Sequence, residues 1–156
     1  MTIRTESRIT IDGSVREVWE YLCDVGRWPE WAPTVLECRV HGGVPLQPGS
    51  RVDQRAKREL WRTHGRSRSQ EVTVVEAPHH LAFAGPMGTS AARWGMEFKQ
   101  VDDRQTDAMM WIEVDLAGIM RVVPGILKGS IQRVSDREMT LIKAAVEADA
   151  RAGAES

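Results

Sequence analysis

Between Ile119 and Glu147, apolar residues recur every three or four positions. At about 3.6 residues per turn, Ile119, Val122, Val123, Ile126, Leu127, Val134, Leu141 and Ala145 share one broad face. Lys128, Gln132, Asp136 and Lys143 lie opposite. The pattern predicts a long amphipathic helix. After Pro124 its roughly 24 residues span about 36 Å at about 1.5 Å per residue. So long an apolar stripe needs a wide partner, and strand patterns elsewhere in the chain supply it.

Ile3 to Ile11 alternates as a first strand, with Ile9 and Ile11 on one face. Ser14-Val15-Arg16-Glu17 forms a capping box, and Val15, Val18, Trp19 and Leu22 follow at helical spacing. This short helix is expected to end near Asp24, with Gly26 as its stop. Trp28-Pro29-Glu30-Trp31-Ala32-Pro33 allows at most one further helical turn and packs its indoles between helix and sheet. Strands follow at Val35–Val40, Ser50–Arg58, Arg66–Glu76, Leu81–Ala84, Ala91–Gln100 and Thr106–Leu116, with Gly85-Pro86 closing the fourth of these.

The last two strands can be paired through their loop. Phe98 then opposes Ala108, Met96 opposes Met110 and Trp94 opposes Ile112, all on one side. Trp111 points outward beside Glu113, unless a bulge turns it in. Short connections between consecutive strands make the sheet antiparallel, and one long helix on one face makes the class α+β.

At 156 residues the chain is expected to form one domain, 1–149, with a frayed tail at 150–156. Its net charge of −1 gives no global attraction to nucleic acid or membrane. The N-terminal MTIRTESRIT has no apolar core of a signal peptide, and no run is long enough to span a bilayer, so the expected compartment is the cytoplasm. Cys23 and Cys38 are either two reduced thiols, the favoured reading, or a single bridge.

Order and landmarks together resemble the START-like (SRPBCC) superfamily, whose helix-grip fold is shared with the birch pollen allergen. They look most like its polyketide cyclase/dehydratase-like branch. The matching stretches are Ile9 to Ser14 with Glu17-Val18-Trp19, Trp28 to Trp31, Leu46 to Ser50, and Val72 to Pro78 with Leu81. The final helix matches with Leu141-Ile142-Lys143 and Glu147. The resemblance covers nearly the whole chain and implies a seven-stranded antiparallel sheet wrapped around the C-terminal helix, with two short helices between strands 1 and 2. It also implies a cavity for lipids, polyketides or other apolar ligands. Some members are aromatase/cyclases and others are carriers, so fold alone does not assign the activity.

The implied cavity would take its walls from Phe83, Trp94, Met96, Phe98, Met110 and Ile112 on the sheet. Ile126, Ser130 and Val134 would face them from the helix. Periodicity alone favours a core in which these side chains meet, and it is the resemblance that shifts the reading toward a cavity. Gln54, beside Val52 and Ala56, and Ser130, on the helix stripe, are the polar candidates for orienting a ligand. Arg58 is a candidate for the mouth, and Arg137 interrupts the stripe.

The histidines 41, 64, 79 and 80 fall in turns or at strand ends. No metal motif, phosphate loop or nucleophile–base pair stands out, and no cofactor is expected. A cyclase acting mainly by shaping its substrate would need none of these. Arg51 to Arg68 carries seven basic residues against Asp53 and Glu59, a net of +5. It is either a solvated outer face or a docking site for an anionic surface, a carrier protein or RNA, with Trp61 as anchor.

Overall fold

The computed structural model describes residues 1–56 and 67–156. Seven strands form one antiparallel sheet: β1 Thr2–Asp12, β2 Val35–His41, β3 Arg51–Ala56, β4 Ser67–Glu76, β5 His80–Met87, β6 Ser90–Asp102 and β7 Gln105–Asp115. Their spatial order is β1-β7-β6-β5-β4-β3-β2. The chain enters at one edge and crosses to the other through α1 (Val15–Cys23) and a 3₁₀ turn at Val25–Glu30. From there it meanders back strand by strand. A second 3₁₀ turn at Gly118–Val122 then leads into α2, Pro124–Glu155.

Local chemistry accounts for the corners. Ser14 Oγ accepts from the Glu17 amide at 3.2 Å, and a Glu17 carboxylate oxygen accepts from the Ser14 amide at 2.8 Å, which fixes the start of α1. Gly26 is not the helix stop, because it does not take a left-handed conformation. The chain instead tightens after Asp24 into the 3₁₀ turn, which contains Pro29. Strand β5 runs past Gly85-Pro86 to Met87, and Pro86 lies opposite Ala91. The turn falls at Gly88-Thr89, where Gly88 has φ +64°, the positive angle that a two-residue hairpin requires at its first central position.

The pairing of β6 with β7 has Phe98 opposite Ala108, Met96 opposite Met110 and Trp94 opposite Ile112. Trp111 points outward without a bulge beside it; that pair shifts register only between Gln100 and Asp102. The indole lies over Gly95, its direct cross-strand partner, and the Arg4 guanidinium stacks 5.1 Å from the ring centroid.

Helix α2 buries Ile131, Ser135, Met139, Ile142 and Val146. The stripe expected from the sequence is therefore out of phase in its first half: Ile119, Val122 and Ile126 are exposed at 85%, 76% and 72%. The cause is the break at Val123-Pro124, which ends the 3₁₀ turn and restarts the helical phase. The polar face is also not simply solvated. Gln132 Nε2 donates to the Glu6 carbonyl at 2.8 Å and Lys143 Nζ to the Thr10 carbonyl at 2.8 Å. A Glu147 carboxylate oxygen accepts from the Asp12 amide at 2.9 Å, and Asp136 accepts from Ser7 Oγ. The bonds to Glu6, Thr10 and Asp12 use free backbone groups of the edge strand β1 and so cover that edge. The tail expected to fray continues α2 as far as Glu155. Both cysteines are free thiols, pushed up to about 12 by burial.

Candidate ligand-binding cavity

Two halves of the sheet's concave face differ. Over one half, α1 and the C-terminal turns of α2 pack solidly: Val18, Tyr21 and Leu22 join Met139, Ile142 and Val146 over Met96, Phe98 and Ala108. Trp19 meets Phe98 edge to face at 6.3 Å. Over the other half, beneath the N-terminal turns of α2, lies a cavity of about 310 Å³. That volume is at the small end of the range for ligand sites, about 300–1,000 Å³.

Strand alternation explains which side chains reach it. On β3, Val52, Gln54 and Ala56 point inward; on β4, Arg68, Gln70 and Val72 do so, with Gln54 directly opposite Arg68. Trp94 on β6 and Ile112 and Met110 on β7 continue the wall. Trp28, Trp31 and Ala32 close it from the 3₁₀ segment, and Ser130, Ile131, Val134 and Glu138 close it from α2. Ser130, Val134 and Glu138 are spaced i, i+4, i+8, one line down the helix.

Of the residues expected at the site, Gln54, Trp94, Met110, Ile112, Ser130 and Val134 lie in the cavity wall. Phe83, Met96 and Phe98 do not; they are sealed in the solid core at 0%, 2% and 4% exposure. Phe83 supports the wall from behind, stacked on Trp94 with centroids 4.4 Å apart. Ile126 is exposed and outside the cavity. Arg137 is exposed. Arg58, His64 and Trp61, with most of the basic hairpin, lie outside the described residues. Of the hairpin's described cations, Arg51 bonds Ser69, Arg55 pairs with Glu37, and Arg68 turns inward to the cavity instead of outward.

The polar atoms in the wall are connected. Trp94 Nε1 donates to Gln70 Oε1 at 2.6 Å, and Gln70 Nε2 donates to Gln54 Oε1 at 3.3 Å. An indole can only donate. It therefore fixes the Gln70 amide with oxygen toward Trp94 and nitrogen toward Gln54. Gln54 accepts through its oxygen and keeps its –NH₂ as the free donor end of the chain. Trp31, 3% exposed, has a buried Nε1–H without a hydrogen-bond partner among the described residues. Opposite the sheet, burial raises the Glu138 carboxyl to about 7. The sequence reading missed Glu138, Gln70 and Trp31 as wall residues; the i, i+4, i+8 line from Ser130 would have pointed to Glu138.

His41, His79 and His80 sit elsewhere. His41 meets Asp53 at 2.7 Å on the exposed face, and His79 Nδ1 lies 2.9 Å from the Phe98 carbonyl. Among the described residues no cluster of His, Cys, Asp and Glu could hold a metal ion, and no helix is long and apolar enough to cross a membrane.

A family profile described as polyketide cyclase/dehydrase and lipid transport matches residues 2–154. The chain belongs to this family. Similar solved structures include the Zhui aromatase/cyclase from Streptomyces sp. R1128, with a TM-score of 0.78 at 14% identity, covering 98% of each chain. The di-domain aromatase/cyclase StfQ of the steffimycin pathway has a TM-score of 0.74 at 14% identity, covering 98% of this chain and 53% of its own. Norcoclaurine synthase from Thalictrum, solved with a transition-state analogue, has a TM-score of 0.64 at 13% identity over 91% of this chain and 94% of its own. At these identities the likeness is one of fold: the helix-grip architecture of polyketide cyclase/dehydrase-family proteins. No curated protein matches in sequence.

Proposed function

We propose that the protein binds an apolar, oxygen-bearing small molecule, a lipid or a polyketide, in the cavity between β3–β7 and α2. The observation that carries this reading is the polarity of the wall. Its sheet side carries two donors, the Gln54 amide and the Arg68 guanidinium, and the 3₁₀ segment adds the unpartnered Trp31 indole N–H. A carbonyl, enolate or carboxylate oxygen meets such a set, whereas a pure hydrocarbon leaves the Trp31 N–H unpaired. A buried unpaired donor costs about 1–3 kcal/mol, so the acceptor is selected for. Met110, Ile112, Ile131 and Val134 take the apolar remainder. Native mass spectrometry after mild purification tests the reading: a co-purified or added apolar ketone should stay bound, and protein that retains neither stands against it.

A second reading, aromatase/cyclase or dehydratase, is favoured by Glu138. A carboxyl near 7 is available as both base and acid at neutral pH. In this reading Glu138 takes a proton from a methylene between two carbonyls. The enolate oxygen is held by the sheet-side donors, and the enolate carbon attacks a further carbonyl carbon of the same chain. The protonated Glu138 returns its proton to the resulting alkoxide. Incubation with a poly-β-ketone mimic separates the two readings. Glu138→Gln should abolish ring formation while retaining binding if the chemistry is real; equal product from both proteins removes the carboxyl from it.

A further inference from the structure

Four exposed apolar side chains of α2 and its approach are gathered in one place. Ile119 (85%), Val122 (76%), Val123 (46%) and Ile126 (72%) protrude from the 3₁₀ turn and the first turn of α2. Their segment is not loosely held. On its other side Met120, Leu127 and Ile131 pack with Ile3, Ala92, Val114 and Leu116 in a second core cluster. The four side chains thus stand on a packed support.

Charge along the segment between Asp115 and Asp136 is one-sided. From Leu116 to Ser135 the chain has Arg121, Lys128 and Arg133 and no aspartate or glutamate, although the whole protein carries −1. All three cations are exposed, and none is ion-paired among the described residues. Arg121 Nε donates to the Leu116 carbonyl at 2.9 Å, which holds its stem against the turn. Protruding β-branched side chains flanked by cations suit an interface that is apolar inside and anionic at its surface.

We infer that this face docks on an anionic lipid bilayer, with the Ile119–Ile126 side chains entering the acyl boundary and Arg121, Lys128 and Arg133 meeting headgroup phosphates. Four protruding apolar side chains beside unpaired cations favour the bilayer over a protein partner, because lipid deforms around them while a protein would need a matching groove. The docked face adjoins the cavity. Ile126, Ser130, Val134 and Glu138 form one line along α2, running from the exposed tip into the cavity wall. Docking would therefore bring the α2 wall of the cavity close to the membrane, though it does not depend on what the cavity holds.

The test is co-sedimentation with vesicles of phosphatidylcholine, with and without an equal part of phosphatidylglycerol. Wild type should sediment with the anionic vesicles, at least tenfold more weakly with neutral ones, and less as salt rises. Ile119→Ser/Ile126→Ser and Lys128→Glu/Arg133→Glu should each lower anionic-vesicle binding at least tenfold. All four positions are exposed, and an unchanged thermal melt checks that the variants fold. Absent sedimentation, or binding equal in wild type and variants, overturns the inference. So does a dimer, seen by sedimentation velocity, that Ile119→Ser/Ile126→Ser dissolves, or binding to an acidic carrier protein but not to vesicles.

Discussion

Trp94 donates its indole N–H to Gln70 Oε1 at 2.6 Å while its ring stacks on Phe83 at 4.4 Å. One residue thus both builds the cavity wall and orients its amides. Trp94→Phe keeps most of the stacking but removes the donor, so the Gln70 amide is free to turn and the Gln54 –NH₂ is no longer fixed as the terminal donor. Affinity for a ketone ligand should fall about five- to tenfold, equivalent to about 1–1.4 kcal/mol. Affinity for a hydrocarbon of the same length should hardly change. Calorimetric titration of both ligands measures the difference, and an equal loss for the two would show that the indole only packs.

Gly95 and Trp111 form the corresponding pair on the outer face. A Cβ added at Gly95 would lie 2.7 Å from Trp111 Cζ2 and 2.9 Å from the Leu81 carbonyl oxygen. Gly95→Ala should therefore destabilise by about 1–3 kcal/mol through overpacking. In a Trp111→Ala background the cost should shrink without vanishing, because the Leu81 backbone remains. Urea denaturation of the four proteins of this cycle gives the coupling directly.

Glu138 predicts an unusual slope of stability with pH. Its carboxyl is raised from 4.5 to about 7 in the folded protein. Below about pH 4.5 it is protonated in both states and costs nothing. Between there and about pH 7 only the unfolded chain ionises, so this group's contribution falls as pH rises. The full loss, on the order of 3 kcal/mol, is reached above pH 7. Glu138→Gln should remove the slope, leaving a variant more stable than wild type at pH 8 and nearly equal to it at pH 4.5. Chemical denaturation across that range checks the difference between the two proteins.

The helix above the cavity carries glycines that packing does not require. A Cβ at Gly125 or Gly129 would meet no atom within 4 Å. Gly129→Ala should stabilise the protein by about 1 kcal/mol, the helix-interior difference between the two residues. A gate at Gly118–Gly129 would show as amides that exchange faster than those of Val134–Ala145, whereas the packing of Met120 and Leu127 in the second core cluster predicts equal protection. Equal protection of the two segments in wild type would end the idea of a gate.

Strand register and caps were legible because local rules agree there. Alternation on β6 and β7 allowed one pairing that kept Trp94, Met96 and Phe98 on the same side as Ile112, Met110 and Ala108, and the sheet has it. The capping box at Ser14 is a four-residue rule and holds. The division of the concave face was not legible. Met96 and Phe98 face inward like Trp94, but α1 covers them and not it. Which inward residues meet a cavity depends on where a distant element lands. The phase of Ile119–Ile126 failed for a related reason: apolar spacing continues across Val123-Pro124, but the backbone does not. Gln70 and Glu138 read as ordinary surface residues on composition, and only tertiary packing turns them toward the cavity.

The central claim is that the cavity holds an apolar ligand by its oxygen. Titration with a long-chain β-diketone, followed through ¹⁵N–¹H resonances of the Trp31 indole and the Gln54 side-chain amide, tests it most directly. The account predicts saturable shifts of both signals with one dissociation constant, the Trp31 resonance moving in the direction of a newly formed hydrogen bond. Saturable shifts confined to the outer face, or no shift of either signal at saturating diketone, would contradict it.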